Sequence, residues 1–119
     1  MNRPILLLLA VPAIVFGQSS TALVGNMANG RTLFTKFGCY QCHGYAGQGG
    51  LAGAPLIPVG FNAQGLIRYV RRPAGEMPAY AESAMSDQDL TDVYVYIKSL
   101  PTPRAVKDIP LLKEMKDRR

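Results

Sequence analysis

Hydrophobic residues recur at helical spacing in three segments of the chain, residues 25–37, 62–72 and 86–100. Apolar side chains three or four positions apart share one face of an α-helix. Each segment therefore predicts a helix with one buried stripe, and the chain should have three main helices. The stripes comprise Gly30, Phe34 and Phe37 in the first segment, Leu66, Ile67 and Val70 in the second, and Leu90, Val93, Ile97 and Leu100 in the third.

Capping residues stand at the ends of these segments. The side-chain oxygen of Asn or Ser can accept a hydrogen bond from a free amide in the first turn of a helix. The candidates are Asn26 or Asn29 for the first helix, Asn62 for the second and Ser86 for the third. Gly38 follows the first helix, where a helix-ending glycine is common. Gly30 is costly inside a helix, and its expected use is to let another helix approach closely.

Residues 1–17 have the composition of a secretory signal peptide. Arg3 supplies a positive charge, and residues 5–16 form an apolar run of the length found in such signals. Cleavage is expected after Gly17, with a second candidate site after Ala22. An uncleaved membrane anchor is the alternative. Either way, the domain that follows is expected to be exported, as a periplasmic protein.

The remaining chain divides into a domain at residues 18–100 and a C-terminal extension at residues 101–119. Lys and Arg number 13 against 8 Asp and Glu, and the chain has no Trp. A positive surface favours docking to partners with acidic surfaces. No basic run with interleaved aromatics is present, so nucleic acid is not an expected partner. Membrane association is expected only if the N-terminal segment is retained.

The run Cys39-Tyr40-Gln41-Cys42-His43 has the spacing of a c-type haem attachment site. Two thiols one helical turn apart can form thioethers with the two vinyl groups of a porphyrin, and the following imidazole can bind the iron as proximal ligand. These are the chain's only cysteines and its only histidine. A redox-active dithiol would need a βαβ context that is not visible, and a structural zinc site would need a fourth ligand.

Met77 is the candidate for a second axial ligand. It precedes Pro78 in a loop, where its thioether can point inward without the restrictions of a helix. Met85 is the rival, but it directly precedes the helix cap Ser86 and suits a hydrophobic staple better. The third possibility is that Met77 only fills the core.

Two further features each have two interpretations. Pro55 follows a glycine-rich loop at residues 44–50, and its carbonyl could accept the Nδ1 proton of His43 and orient the ring; alternatively, Pro55 is an ordinary turn proline. The basic cluster of Arg68, Arg71 and Arg72 could contact a haem propionate or a redox partner. Alternatively, it is a solvated helix face.

Over residues 27–100 the chain resembles the bacterial class I cytochromes c, which are small monohaem c-type cytochromes. The resemblance rests on the attachment motif at residues 39–43, Met77-Pro78, Pro55-Leu56, and Gly30 with Phe34 on the first helix. It implies an all-α small cytochrome c fold, with three main helices and loops wrapped around one covalently bound haem.

The resemblance also implies the roles of individual residues. It makes Cys39 and Cys42 the thioether residues, His43 the proximal ligand, Met77 the distal ligand and Pro55 the carbonyl that accepts from the imidazole. Gly30 and Phe34 would pack against Val93 and Tyr96 of the last helix. The interval from His43 to Met77 is shorter than in mitochondrial-type proteins. The resemblance therefore does not identify the residues that would contact the haem propionates.

The expected function is electron transport by a single haem c with His43 and Met77 as iron ligands, and no enzymatic activity. The docking surface is expected near Cys42, among Arg31, Lys36 and the Arg68 cluster. One alternative is a haem c subunit of a larger exported oxidoreductase complex. Another is a haem sensor or peroxidase-like protein, if the methionine ligand is labile.

Overall fold

The computed structural model describes residues 23–118, and in this range the regular structure is helical, with no β-strand. The expected all-α fold is confirmed. The signal segment expected at residues 1–17 lies outside the described residues. The helices are α1 (Met27–Lys36), α2 (Cys39–His43), α3 (Ala63–Arg71), α4 (Asp87–Ser99) and α5 (Pro110–Asp117), with a short 3-10 helix at Val106–Asp108.

The three main helices begin at caps that the sequence predicts. Asn26 accepts a hydrogen bond from the amide of Asn29 at 3.0 Å and so caps α1. Asn62 caps α3 in the same way, through the amide of Gly65 at 2.8 Å. Ser86 caps α4 in a capping box, since Ser86 and Asp89 each bond the other's amide through their side chains. These local bonds satisfy amides that a helix leaves free in its first turn.

The core lies where α4 packs against both α1 and α3. The residues predicted to form the three stripes supply most of it, and burying their apolar surface is the main favourable term in folding. Met85, just before α4, is 1% exposed and belongs to this core. The buried hydrophobic residues are Leu33, Phe34, Leu66, Ile67, Val70, Met85, Leu90, Val93 and Ile97.

Helices α1 and α4 cross in direct backbone contact at Gly30. A Cβ atom at this position would overlap the carbonyl oxygen of Asp92 and lie 3.0 Å from Cβ of Tyr96. The ring of Phe34 meets the ring of Tyr96 with centroids 5.4 Å apart. The predicted close approach at Gly30 is therefore found, and the backbone it meets is that of Asp92, beside the predicted Val93.

The carboxylate of Asp92 ties the start of α1 to α4. It is 3% exposed, and it accepts hydrogen bonds from the amide of Asn26 at 2.8 Å, the side chain of Asn29 at 2.7 Å and the side chain of Gln88 at 2.8 Å. Burial acts to raise the pKa of Asp92, but these hydrogen bonds outweigh it and hold the pKa below its ordinary value of 3.8. A negative charge is also favourable at a helix N-terminus.

The C-terminal extension contains α5, which the sequence analysis did not predict. Among the elements of residues 23–118, α5 contacts only the 3-10 helix before it. Its side chains Leu111 and Met115 are 65% and 56% exposed. In the described range, every helix is too short or too polar to cross a membrane.

Candidate functional site

A cavity of about 690 Å³ lies between the attachment motif and the loop that joins α3 to α4. Its size is in the range of small-molecule and cofactor sites. It brings together all five residues that the sequence singled out as cofactor-binding. These residues are Cys39, Cys42, His43, Pro55 and Met77.

The attachment motif forms one wall of the cavity as the single-turn helix α2. Glycines with positive φ stand on both sides of it, Gly38 with φ 74° and Gly44 with φ 75°. In a helix, residues three and four positions apart lie on the same face. The two cysteines and His43 are therefore presented together to the cavity. Burial raises the pKa of the Cys39 thiol. A hydrogen bond with the backbone of Cys39 acts to lower this pKa, and repulsion from Cys42 acts to raise it further.

The imidazole of His43 is oriented by a backbone carbonyl. Its Nδ1 lies 2.7 Å from the carbonyl oxygen of Ala54. A carbonyl can only accept, so Nδ1 of the neutral ring carries the proton and Nε2 keeps its lone pair free for a metal. The acceptor is one residue earlier than the predicted Pro55, which lines the cavity but does not make this bond.

Ala54 rather than Pro55 is the acceptor because of the hydrogen bonds that hold the glycine-rich loop and the residues after it. The amide of Gly49 donates to the carbonyl of His43 at 2.8 Å, and the amide of Leu56 donates to Gly47 at 2.9 Å. Gly53 then packs directly on α2, where a Cβ atom would lie 2.8 Å from the carbonyl oxygen of Cys42. These contacts hold the carbonyl of Ala54 against the ring of His43.

Met77 also lines the cavity, in the loop between α3 and α4. It is half-buried and packs against the edge of the core. Met85 is buried in the core and does not line the cavity. Met27 and Met115 are 52% and 56% exposed in α1 and α5. Of these four methionines, only Met77 lines the cavity with the attachment motif.

Tyr80 also lines the cavity, and the sequence analysis gave it no role. Its hydroxyl donates to the carbonyl of Phe37 at 2.9 Å, across 43 positions of the chain. Burial raises the pKa of this phenol, with further contributions from the thiols of Cys39 and Cys42. The helical pattern gave no signal for this contact, since Tyr80 stands in a loop.

The three arginines of the basic cluster do not act together. The side chain of Arg71 is partly buried, and one of its guanidinium nitrogens lies 2.6 Å from the carboxylate of Asp87. Arg68 and Arg72 are exposed. Lys36 is exposed at the end of α1, with its ammonium group 5.3 Å from the centre of the Phe37 ring. Of the three arginines, Arg71 is thus paired with Asp87, and Arg68 and Arg72 present exposed charges.

A family model described as "Cytochrome C oxidase, cbb3-type, subunit III" matches residues 25–97. The match covers more than half of the 119 residues and includes α1 to α3 and most of α4. The chain belongs to this family. The expected relationship to the small c-type cytochromes is confirmed. No match was found among curated proteins or among solved structures.

A cytochrome c domain of this family implies haem c, and the residues around the cavity fit that cofactor. Cys39 and Cys42 have the attachment spacing, and His43 has its Nδ1 engaged and its Nε2 free. Met77 brings a soft sulfur ligand to the same cavity. The residues at this cavity are therefore chemically compatible with a c-type haem.

Proposed function

We propose that this protein carries electrons through one haem c held covalently by Cys39 and Cys42. The observation that supports this most directly is that both cysteines, His43 and Met77 line one cavity. When bound, the haem iron supplies a one-electron couple. If His43 and Met77 both held the iron, no ligand position would remain for a substrate, and the protein would transfer electrons without transforming one.

The protein's own residues give this haem its chemistry. His43 and Met77 would hold the haem iron, and the bond of His43 to the carbonyl of Ala54 would fix the orientation of its ring. The thioether of Met77 would favour the reduced iron and raise the reduction potential. The apolar side chains of Leu51, Phe61 and Tyr69 complete the lining.

Optical spectra of the full chain, matured in a host that attaches haem c, test this proposal. The oxidised protein should show the weak long-wavelength band of sulfur-to-iron ligation. Met77→Ala should abolish the band, whereas the control Met85→Ala should keep it, because Met85 lies in the core. A haem spectrum without the band in the unmodified protein would favour a sensor or peroxidase-like function, and a colourless protein would refute haem binding altogether.

A second candidate is a haem c subunit of a larger exported oxidoreductase complex. The family description names a subunit of an oxidase, and α5 leaves Leu111 and Met115 exposed outside the matched region. Gentle solubilisation and purification of the tagged full chain from its own cell distinguishes the two candidates. Stoichiometric companion proteins would establish the subunit, and a protein that purifies alone would establish the independent carrier.

The cell compartment and the docking surface are part of the same proposal. Residues 1–17 would direct the domain to the periplasm, and sequencing the N-terminus of the mature protein would locate the cut. The exposed cations Arg31, Lys36 and Arg68 would steer the protein toward acidic redox partners. Electron transfer to such a partner should slow as salt is added, and a rate independent of ionic strength would argue against this surface.

A further inference from the structure

The loop that carries Met77 packs on the core through Met77 itself and is hydrogen-bonded to the rest of the protein through Tyr80. Among the described residues, the hydrogen bonds found for residues 73–80 all involve Tyr80. Its amide donates to the carbonyl of Val70 at 3.2 Å, near the end of α3. The preceding residues, including Met77, lie between this point and the end of α3. Their position over the cavity therefore depends on where Tyr80 is held.

The side chain of Tyr80 connects this loop to the opposite wall. Its hydroxyl donates to the carbonyl of Phe37, which ends α1 two residues before Cys39. The rings of Phe37 and Tyr80 also meet edge to face, with centroids 6.0 Å apart. A single side chain thus spans the segment that carries the distal ligand and the segment that leads into the attachment helix.

Arg71 holds Tyr80 from the other side. One guanidinium nitrogen donates to the carbonyl of Tyr80 at 2.9 Å, and another contacts the carboxylate of Asp87 at 2.6 Å. The guanidinium of Arg71 is only partly exposed, at 20% of the side chain. A rigid fork with several donors can satisfy both acceptors at once, whereas a lysine ammonium on a flexible stem is less suited to do so.

We propose that Tyr80, held by Arg71, is a positioning residue that keeps the sulfur of Met77 on the haem iron and resists its replacement by outside ligands. Only two residues separate Tyr80 from Met77, and three residues of chain reach about 10 Å at most. Loss of the Phe37 contact lets this short segment move. This inference rests on the proposed function, because it assumes that Met77 is the distal ligand.

The test is the affinity of the oxidised haem protein for imidazole, which competes with Met77. Tyr80→Phe removes one hydroxyl and keeps the ring, so imidazole should bind about fivefold more tightly, the factor expected for one lost hydrogen bond. The reduction potential should fall as the sulfur ligand is weakened. Tyr94→Phe is the matched control, because Tyr94 lies on α4 and does not line the cavity.

Two further variants separate positioning from general loosening. Arg71→Lys should also increase the imidazole affinity. This variant still tests the proposal if Tyr80→Phe does not fold. Asp92→Asn should lower the thermal midpoint of unfolding with unchanged imidazole affinity, because Asp92 acts at the α1–α4 crossing. If Asp92→Asn raised the affinity as much as Tyr80→Phe, the effect would be one of global stability and the inference would be wrong.

The remaining outcomes are also decisive. Equal imidazole affinity in the unmodified protein, Tyr80→Phe and Arg71→Lys, with the sulfur-to-iron band present in all, would overturn the positioning role and leave the proposed function intact. Absence of the band in the unmodified protein would instead overturn the His43/Met77 ligation itself. The two failures are therefore distinguishable in one set of spectra.

Discussion

The α1–α4 crossing and the cavity are built in opposite ways. At the crossing, the backbone of Gly30 touches that of Asp92, and the buried carboxylate of Asp92 accepts two hydrogen bonds from the start of α1 and one from Gln88 of its own helix. Around the cavity, loops leave about 690 Å³ between α2 and the Met77 segment. The first region is closed by the protein alone, whereas the second is shaped for another molecule. Stability and cofactor chemistry should therefore respond to different substitutions.

Gly30→Ala should have the largest effect on stability. Helix propensity alone would make alanine better by about 1 kcal/mol, but the added Cβ overlaps the carbonyl of Asp92. We expect overpacking to dominate, with a loss of about 3 kcal/mol in the free energy of unfolding and no change in the haem spectrum. Urea unfolding measures this. Gly60→Ala is the control, since a Cβ there meets nothing within 4 Å; a stabilised Gly30→Ala protein would contradict the close crossing.

Gly53→Ala should affect the cavity as well as stability. The new Cβ would lie 2.8 Å from the carbonyl of Cys42, so the loop must move away from α2, at a cost of about 2 kcal/mol. The adjacent carbonyl of Ala54 would move with it and release the ring of His43. Redox titration should show a shifted reduction potential in Gly53→Ala and none in Gly30→Ala. Equal potentials in both variants would remove the distinction between the two regions.

Asp92→Asn should have the smallest effect at neutral pH, about 1.5 kcal/mol, and should change the pH dependence. The pKa of Asp92 is lower in the folded protein than its ordinary 3.8. The unfolded chain therefore binds the proton more readily. The contribution of Asp92 is present above about pH 4 and is lost as pH falls through the lowered folded pKa.

Urea unfolding at neutral and at acid pH, for both proteins, measures this contribution. The unmodified protein should lose more stability on acidification than Asp92→Asn, and the difference between the two should shrink at low pH. A constant difference across the titration would show that the carboxylate charge is not what stabilises the crossing.

The helix caps, the apolar stripes and the attachment motif can be predicted from the sequence, because each depends only on residues that are close together in the chain. The caps Asn26, Asn62 and Ser86 bond amides three positions away, and the apolar stripes follow the period of the helix. The spacing of Cys39, Cys42 and His43 is likewise a property of one helical turn. Such features are visible in sequence because short-range geometry fixes them before the chain folds.

Contacts between distant segments could be identified only in the folded structure. Asp92 reaches Asn26 across 66 positions, and Tyr80 reaches Phe37 across 43. Neither has a local pattern, because the partners become neighbours only when the helices pack. The same reason explains why Ala54 rather than Pro55 accepts from His43. Loop register, which depends on several hydrogen bonds formed together, decides which carbonyl faces the ring.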